Sequence, residues 1–143
     1  MRRLAIWALA ALGAVAGARC HGDSSSSPDA SGAVDALIAR LDAAGLTVVR
    51  AGQVDQPFFS VRGEVLAAGN SQIQVFAFPS ASAAAAAAAT VSRDGTTIGT
   101  TIVTWVAAPH FYRSENLVVL YVGSDATVLS ALTRVLGAPF AGA

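Results

Sequence analysis

Asn116-Leu117-Val118-Val119-Leu120-Tyr121-Val122-Gly123, NLVVLYVG, is the stretch that decides the fold. Its apolar β-formers leave no polar face, so both sides of the strand must be covered. Such a strand belongs in the middle of a sheet, covered on both sides or by helix on one and aromatics on the other.

The chain after it reads as a helix. Ser124 or Asp125 is placed to cap it, and Val128, Leu129, Leu132, Val135 and Leu136 form one stripe. Arg134 sits near its negative end, with Gly137 and Pro139 beyond. The chain before it contains TTIGTTIVTWVA, Thr96 to Ala107, the second strong strand signal. Between the two, APHFYRSE carries Pro109, expected to end strand pairing, and a polar turn at Ser114-Glu115.

Further upstream lies an almost pure alanine helix, Ala81 to Ala89, opened by Pro79-Ser80 and closed by the SRDG turn with Gly95. Alanine has the best helix propensity but little area to bury, so this helix should lie close to the sheet. Before it, QPFFSVRGEVLAAGNSQIQVFAFP reads as a hairpin. A loop at Ala68-Gly69-Asn70 puts Val61, Gly63, Val65, Ile73, Val75 and Ala77 on one face, and Arg62, Glu64, Gln72 and Gln74 on the other. A two-residue Gly69-Asn70 turn would set Val65 across from Gln74 and mix the faces, so the longer loop is expected. Phe76 and Phe78 then need a cover on the nominally polar side. Leu46 to Gln53 reads as a strand, and Ser31 as the cap of a first helix with Val34, Leu37, Ile38 and Leu41 at i, i+3, i+4 and i+7, stopped by Gly45.

The order is helix, three strands, helix, two strands, helix. That predicts an α+β fold, a single two-layer domain whose mainly antiparallel five-stranded sheet carries its helices on one face.

The N-terminus is organised differently. Met1-Arg2-Arg3 precedes 15 uncharged residues, Leu4 to Ala18, shorter than the roughly 20 a bilayer span needs. The pattern is that of an export signal over residues 1–19, followed by a serine-rich tether at 20–30 and the folded domain at 31–143. Cys20, right after the apolar run, resembles the lipidated cysteine of bacterial lipoproteins, which implies an envelope protein held on a membrane by that lipid. Arg19 departs from the small residue such proteins carry there. The other processing site, after Ala16-Gly17-Ala18, would leave a secreted or periplasmic chain beginning at Arg19. The only cysteine cannot form an internal disulfide, so the domain relies on its core.

The 143 residues are 54% apolar and 13% charged, with no lysine. From Cys20 on, six arginines face nine acidic residues, a net charge of −3. A nucleic-acid partner needs a basic face and none is expected. His110 is the only histidine past the tether and has no close-spaced ligand partner, so neither a metal site nor a cofactor is expected. There is no GxSxG elbow, no phosphate loop, and no assigned catalytic residue. Arg62 and Glu64 read as a solvated pair rather than acid and base.

The most site-like run is WVAAPHFYR, Trp105 to Arg113. It could form a binding lip in which aromatics stack and His110 and Arg113 hold a carboxylate or a sugar hydroxyl. The plainer reading, and the preferred one, is that Trp105, Phe111 and Tyr112 fill the core or cover Phe76 and Phe78, with His110 hydrogen-bonded in the turn. Of the adjacent Phe58 and Phe59, one should be core while the other joins the same patch.

QPFFSV, QVF, DGTTIGTTIVTWVAAPHFYR, NLVVLYVG and LGAPFAG together resemble a group of short, exported bacterial proteins. The likeness spans roughly Leu41 to Gly142, and its most specific piece is Trp105-Val106 with Pro109-His110-Phe111-Tyr112. It implies the domain boundaries and no activity. Two functions follow as expectations. One is a non-enzymatic envelope module binding a protein, peptide or small ligand through an aromatic face around Phe59, Phe76, Phe78, Trp105 and Tyr112, with His110, Phe111 and Arg113 beside it. The other is a small hydrolase or ligand-processing domain using His110, which requires that histidine in a pocket within reach of Glu115, Asp55 or a serine.

Overall fold

The computed structural model describes residues 29–143. The expected export signal, Cys20 and nearly all of the expected tether lie outside them.

The elements run α1 (Ala30–Ala43), β1 (Val49–Val54), β2 (Gly63–Ala68), β3 (Ser71–Ala77), α2 (Ala81–Ala89), β4 (Thr97–Ile98), β5 (Thr101–Ile102), β6 (Pro109–Ser114), β7 (Leu117–Val122), α3 (Ala126–Leu136) and β8 (Ala141–Gly142). The fold is α+β, with three helices and a mainly antiparallel sheet. That sheet has six strands rather than five, in the order β1-β2-β3-β7-β6-β8, and β4 and β5 form a separate two-stranded ribbon.

NLVVLYVG lies where its composition requires. β7 pairs with β3 on one side and β6 on the other, and Leu117 to Tyr121 are buried. Its two faces belong to two cores. Val119 and Tyr121 pack with Leu66, Ile73, Val75 and Tyr112 beneath Leu37 and Leu41 of α1 and Val128 and Leu132 of α3. Val118 and Leu120 pack with Phe76, Phe78 and Phe111 beneath Ala84 and Ala88 of α2 and Phe59. Helices therefore cover both faces, and the two-layer expectation is corrected to three layers.

The same fact corrects the hairpin. β2 and β3 close through Gly69-Asn70, with Val65 opposite Gln74 and Leu66 opposite Ile73. Gly69 sits at φ 59, open to glycine, and makes the tight turn possible. With cover on both sides of the sheet there is no wet face to protect. Glu64 opposite Val75 is then tolerated, and the register follows the turn.

Thr96–Ala107 is not one strand. Gly99, at φ 59, folds it into the β4-β5 ribbon, and Val103 to Ala108 run outside any strand. The main-sheet strand is β6. Pro109, expected to end pairing, is its first residue, a place where proline's missing N–H is tolerated. β1 begins at Val49, three residues later than Leu46. It carries a register shift between Arg50 and Gly52.

Helix ends follow local chemistry. Ser80 Oγ accepts from Ala83 N at 3.1 Å, and Asp125 Oδ1 accepts from Thr127 N at 2.8 Å. α1 begins one residue before the expected cap, with Asp29 at the N-cap and Ser31 inside the first turn.

Candidate functional site

Six aromatic rings meet on the α2 side of the sheet. Phe59 is the hub, 4.8 Å from Phe76 and 5.8 Å from Phe78 between ring centroids, both edge-to-face. Phe58 packs on it at 5.0 Å and leads outward to Trp105 at 6.2 Å, which in turn meets Phe111 at 5.9 Å. Edge-to-face rings at these distances gain electrostatic attraction beyond burial.

Phe76 and Phe111 are fully buried, and Phe59 and Phe78 nearly so. Phe58 and Trp105 are half-buried and bring the cluster to the surface. Of the adjacent phenylalanines, then, Phe59 is core and Phe58 is the outward member. Trp105 is fixed by its indole N–H, which donates to Gly95 O at 2.7 Å.

The expected single face around Phe59, Phe76, Trp105 and Tyr112 is divided by the sheet. Tyr112 stands opposite Val119 and is buried in the core under α1 and α3. His110 lies on that side as well, opposite Tyr121 and stacked on its ring, with Nε2 3.0 Å from Gly123 O. Glu115, Asp55 and every serine are absent from its hydrogen-bond partners among the described residues. Arg113 is exposed beyond the paired part of β8 and makes no ion pair among the described residues.

A groove of about 620 Å³ opens beside the aromatic cluster. It lies between the flank of α2, with Ala83, Ala86 and Ala87, and the segment carrying Phe58, Phe59 and Val61. Its lining holds no ionisable side chain. α2 itself is uncharged throughout, so the exposed side of this helix is alanine and one serine, Ser82, where a surface helix ordinarily carries charge. The sequence signal for the groove was the alanine run. What could not be read was its neighbour, because nothing local places Phe58–Val61 against it.

Charged groups cluster elsewhere. Arg50 bridges Asp35 of α1, at 2.5 Å, and Glu64 of β2, and these bonds hold its guanidinium above its ordinary value. Arg62 pairs with Asp55 at 2.9 Å, so the expected Arg62–Glu64 pair is replaced by two separate ones. In the turn before β4, Asp94 accepts from Ser92 Oγ at 2.6 Å and from the amide and hydroxyl of Thr96. These bonds hold its carboxyl below the usual range.

Asn116, buried and not expected from the sequence to matter, ties β7 to the start of α2. Its side-chain Nδ2 donates to Phe78 O at 3.0 Å and its backbone carbonyl accepts from Phe78 N at 2.8 Å. Among the described residues no group of three His, Cys, Asp or Glu side chains could hold a metal, and no helix is long and apolar enough to cross a membrane. No protein-family model, curated protein or solved structure matches the chain.

Proposed function

We propose that the chain is an exported envelope protein, anchored by a lipid on Cys20, whose α+β domain is a non-enzymatic binding module. The observation that carries the binding reading is the uncharged groove between α2 and Phe58–Val61, floored by Phe59 and continued by Phe58 and Trp105. An apolar cleft with no ionisable lining suits an uncharged small ligand or the apolar side chains of a partner. It offers no acid or base to activate its only hydroxyls, those of Ser60 and Thr90. His110, on which a hydrolase would depend, is spent on a backbone carbonyl across the sheet from this groove.

Two measurements test the two halves. An uncharged naphthylamine fluorophore should bind with a blue shift, and Ala87→Trp, which fills the groove from the helix side, should weaken that binding at least tenfold while leaving the fold intact. Unchanged binding in Ala87→Trp removes the groove from consideration. For the anchor, the intact mass of the mature chain should carry a diacyl adduct that vanishes in Cys20→Ala. An unmodified chain beginning at Arg19 rules the anchor out.

A further inference from the structure

We propose that the outer edge of β5 is a self-association site, at which Ile102–Val106 pairs antiparallel with the same segment of a second copy of this chain. Thr96 to Ala107 is rich in β-branched residues and free of charge, yet only four of its residues are in strands.

β4 is paired on both sides. One neighbour is β5, and the other is the Val91-Ser92 segment, through the Val91–Ile98 bridge and the Ser92 amide on Thr97 O. β5 is paired on one side only. Val103 donates its amide to Thr96 O at 2.8 Å, so its backbone groups face β4. Along an extended chain these directions alternate. The amides and carbonyls of Ile102 and Thr104 therefore point away from the ribbon, where they have no backbone partner among the described residues. Side chains alternate in step. Val103 and Trp105 pack inward on the aromatic core, whereas Ile102 is 81% exposed, Thr104 is exposed and Val106 is 100% exposed.

Both edges of the main sheet are guarded. β1 carries a register shift and the charge of Arg50, and β8 is two residues long. Such devices are how sheets avoid pairing with other chains. β5 is also two residues long, but the chain that continues its edge through Val103 to Ala108 carries no charge and no proline before Pro109.

The segment is also complementary to itself. A two-fold axis through Thr104 sets Thr104 against Thr104, Ile102 against Val106 and Val103 against Trp105. These are threonine, aliphatic and aliphatic–aromatic pairs, each favourable across strands. With no charged residue between Gly95 and Ala108, the axis brings no like charges together. The contact is isologous and closes at two copies. The bend at Val106 and Ala107 ends the ladder there.

The test is sedimentation of the full chain over a concentration series, with single-cysteine cross-linking in a Cys20→Ser background. A dimer is expected, and Thr104→Cys should oxidise to a covalent dimer, because directly opposed residues of this pair type lie about 5.5 Å apart at Cα, within disulfide reach. Ile102→Cys, which faces Val106 and not its own copy, should cross-link at least tenfold more slowly. Val106→Lys should raise the dissociation constant at least tenfold with thermal unfolding of the fold unchanged. A chain that stays monomeric at every concentration overturns the proposal, as does a dimer indifferent to Val106→Lys or one that cross-links equally through Ile102→Cys.

Discussion

The indole N–H of Trp105 and the carbonyl of Gly95 lie 2.7 Å apart, and this bond fastens the extended segment after β5 to the turn before β4. Gly95 is at φ 71, and a Cβ there would come within 3.0 Å of the Phe111 ring. Trp105→Phe keeps most of the packing and removes the donor, so a loss of about 1 kcal/mol is expected. Gly95→Ala combines a disfavoured conformation with a ring contact inside the core, and about 2 kcal/mol is expected from strain of this kind. Urea denaturation measures both. Equal, negligible losses would mean that the turn and the ring do not depend on each other.

The same turn confers a pH dependence. The bonds from Ser92 and Thr96 hold the Asp94 carboxyl below its ordinary value, so the folded state favours the ionised form. The group's contribution is present above the unfolded carboxylate range, near pH 4, and is lost as pH falls through the depressed folded value. Asp94→Asn should flatten the acid limb of a melting-temperature profile and leave its slope near pH 7 unchanged. An acid limb identical to that of the parent chain would count against the assignment.

Phe76 and Phe58 should separate stability from binding. Phe76 is fully buried at the centre of the aromatic cluster, and Phe76→Ala is expected to cost about 3–5 kcal/mol. Phe58 is half-buried at the groove wall. Phe58→Ala should cost roughly half as much or less, while weakening fluorophore binding as strongly as filling the groove does. Parallel denaturation and titration of the two variants would show the difference.

How far the sequence discloses this fold depends on whether the signal is local. β7 was legible because a strand apolar on both faces has one place to go, and α2 and α3 were legible because Ser80 and Asp125 are caps read from adjacent residues. The hairpin register was not. It hinges on whether the Phe76 and Phe78 side is wet, and that is decided by Phe59 and α2, neither of them part of the hairpin. β6 was hidden for a related reason. Pro109 punctuates a chain locally, yet here it only starts a strand whose pairing comes from β7 across the Glu115-Asn116 turn. Phe59, Phe76, Phe78, Trp105 and Phe111, read from the sequence as a candidate exposed binding face, do come together, but all except Trp105 are buried in the core. Tyr112 and His110 fell outside this cluster because the true start of β6 sets which residues face which core.

Arg50 provides a contrast with the buried aromatics. It joins α1 to β2 through Asp35 and Glu64, but its side chain is 41% exposed and Asp35 is 67% exposed. Solvent screening leaves exposed pairs worth about 0–1 kcal/mol. Arg50→Ala should therefore change the urea midpoint little, and less still in high salt. A loss of several kcal/mol would reveal that the pair holds α1 in place in a way its exposure does not suggest.

Gly142 closes the fold at the other end. It lies in β8 at φ 94, donates to Arg93 O at 2.9 Å, and a Cβ on it would stand 1.9 Å from Pro109 O. The obstructing atom is backbone at the start of a main-sheet strand and cannot rotate aside. Gly142→Ala should therefore release β8 from β6 rather than be absorbed by a shift. With it would go the Phe140 amide bond to Phe111 O and the Ala143 amide bond to Pro109 O. The expected signature is faster hydrogen exchange at Phe140, Gly142 and Ala143, with protection of the β7 amides retained because β3 and β6 still flank that strand. If the β7 amides lose protection too, β8 stabilises the whole sheet rather than guarding its edge.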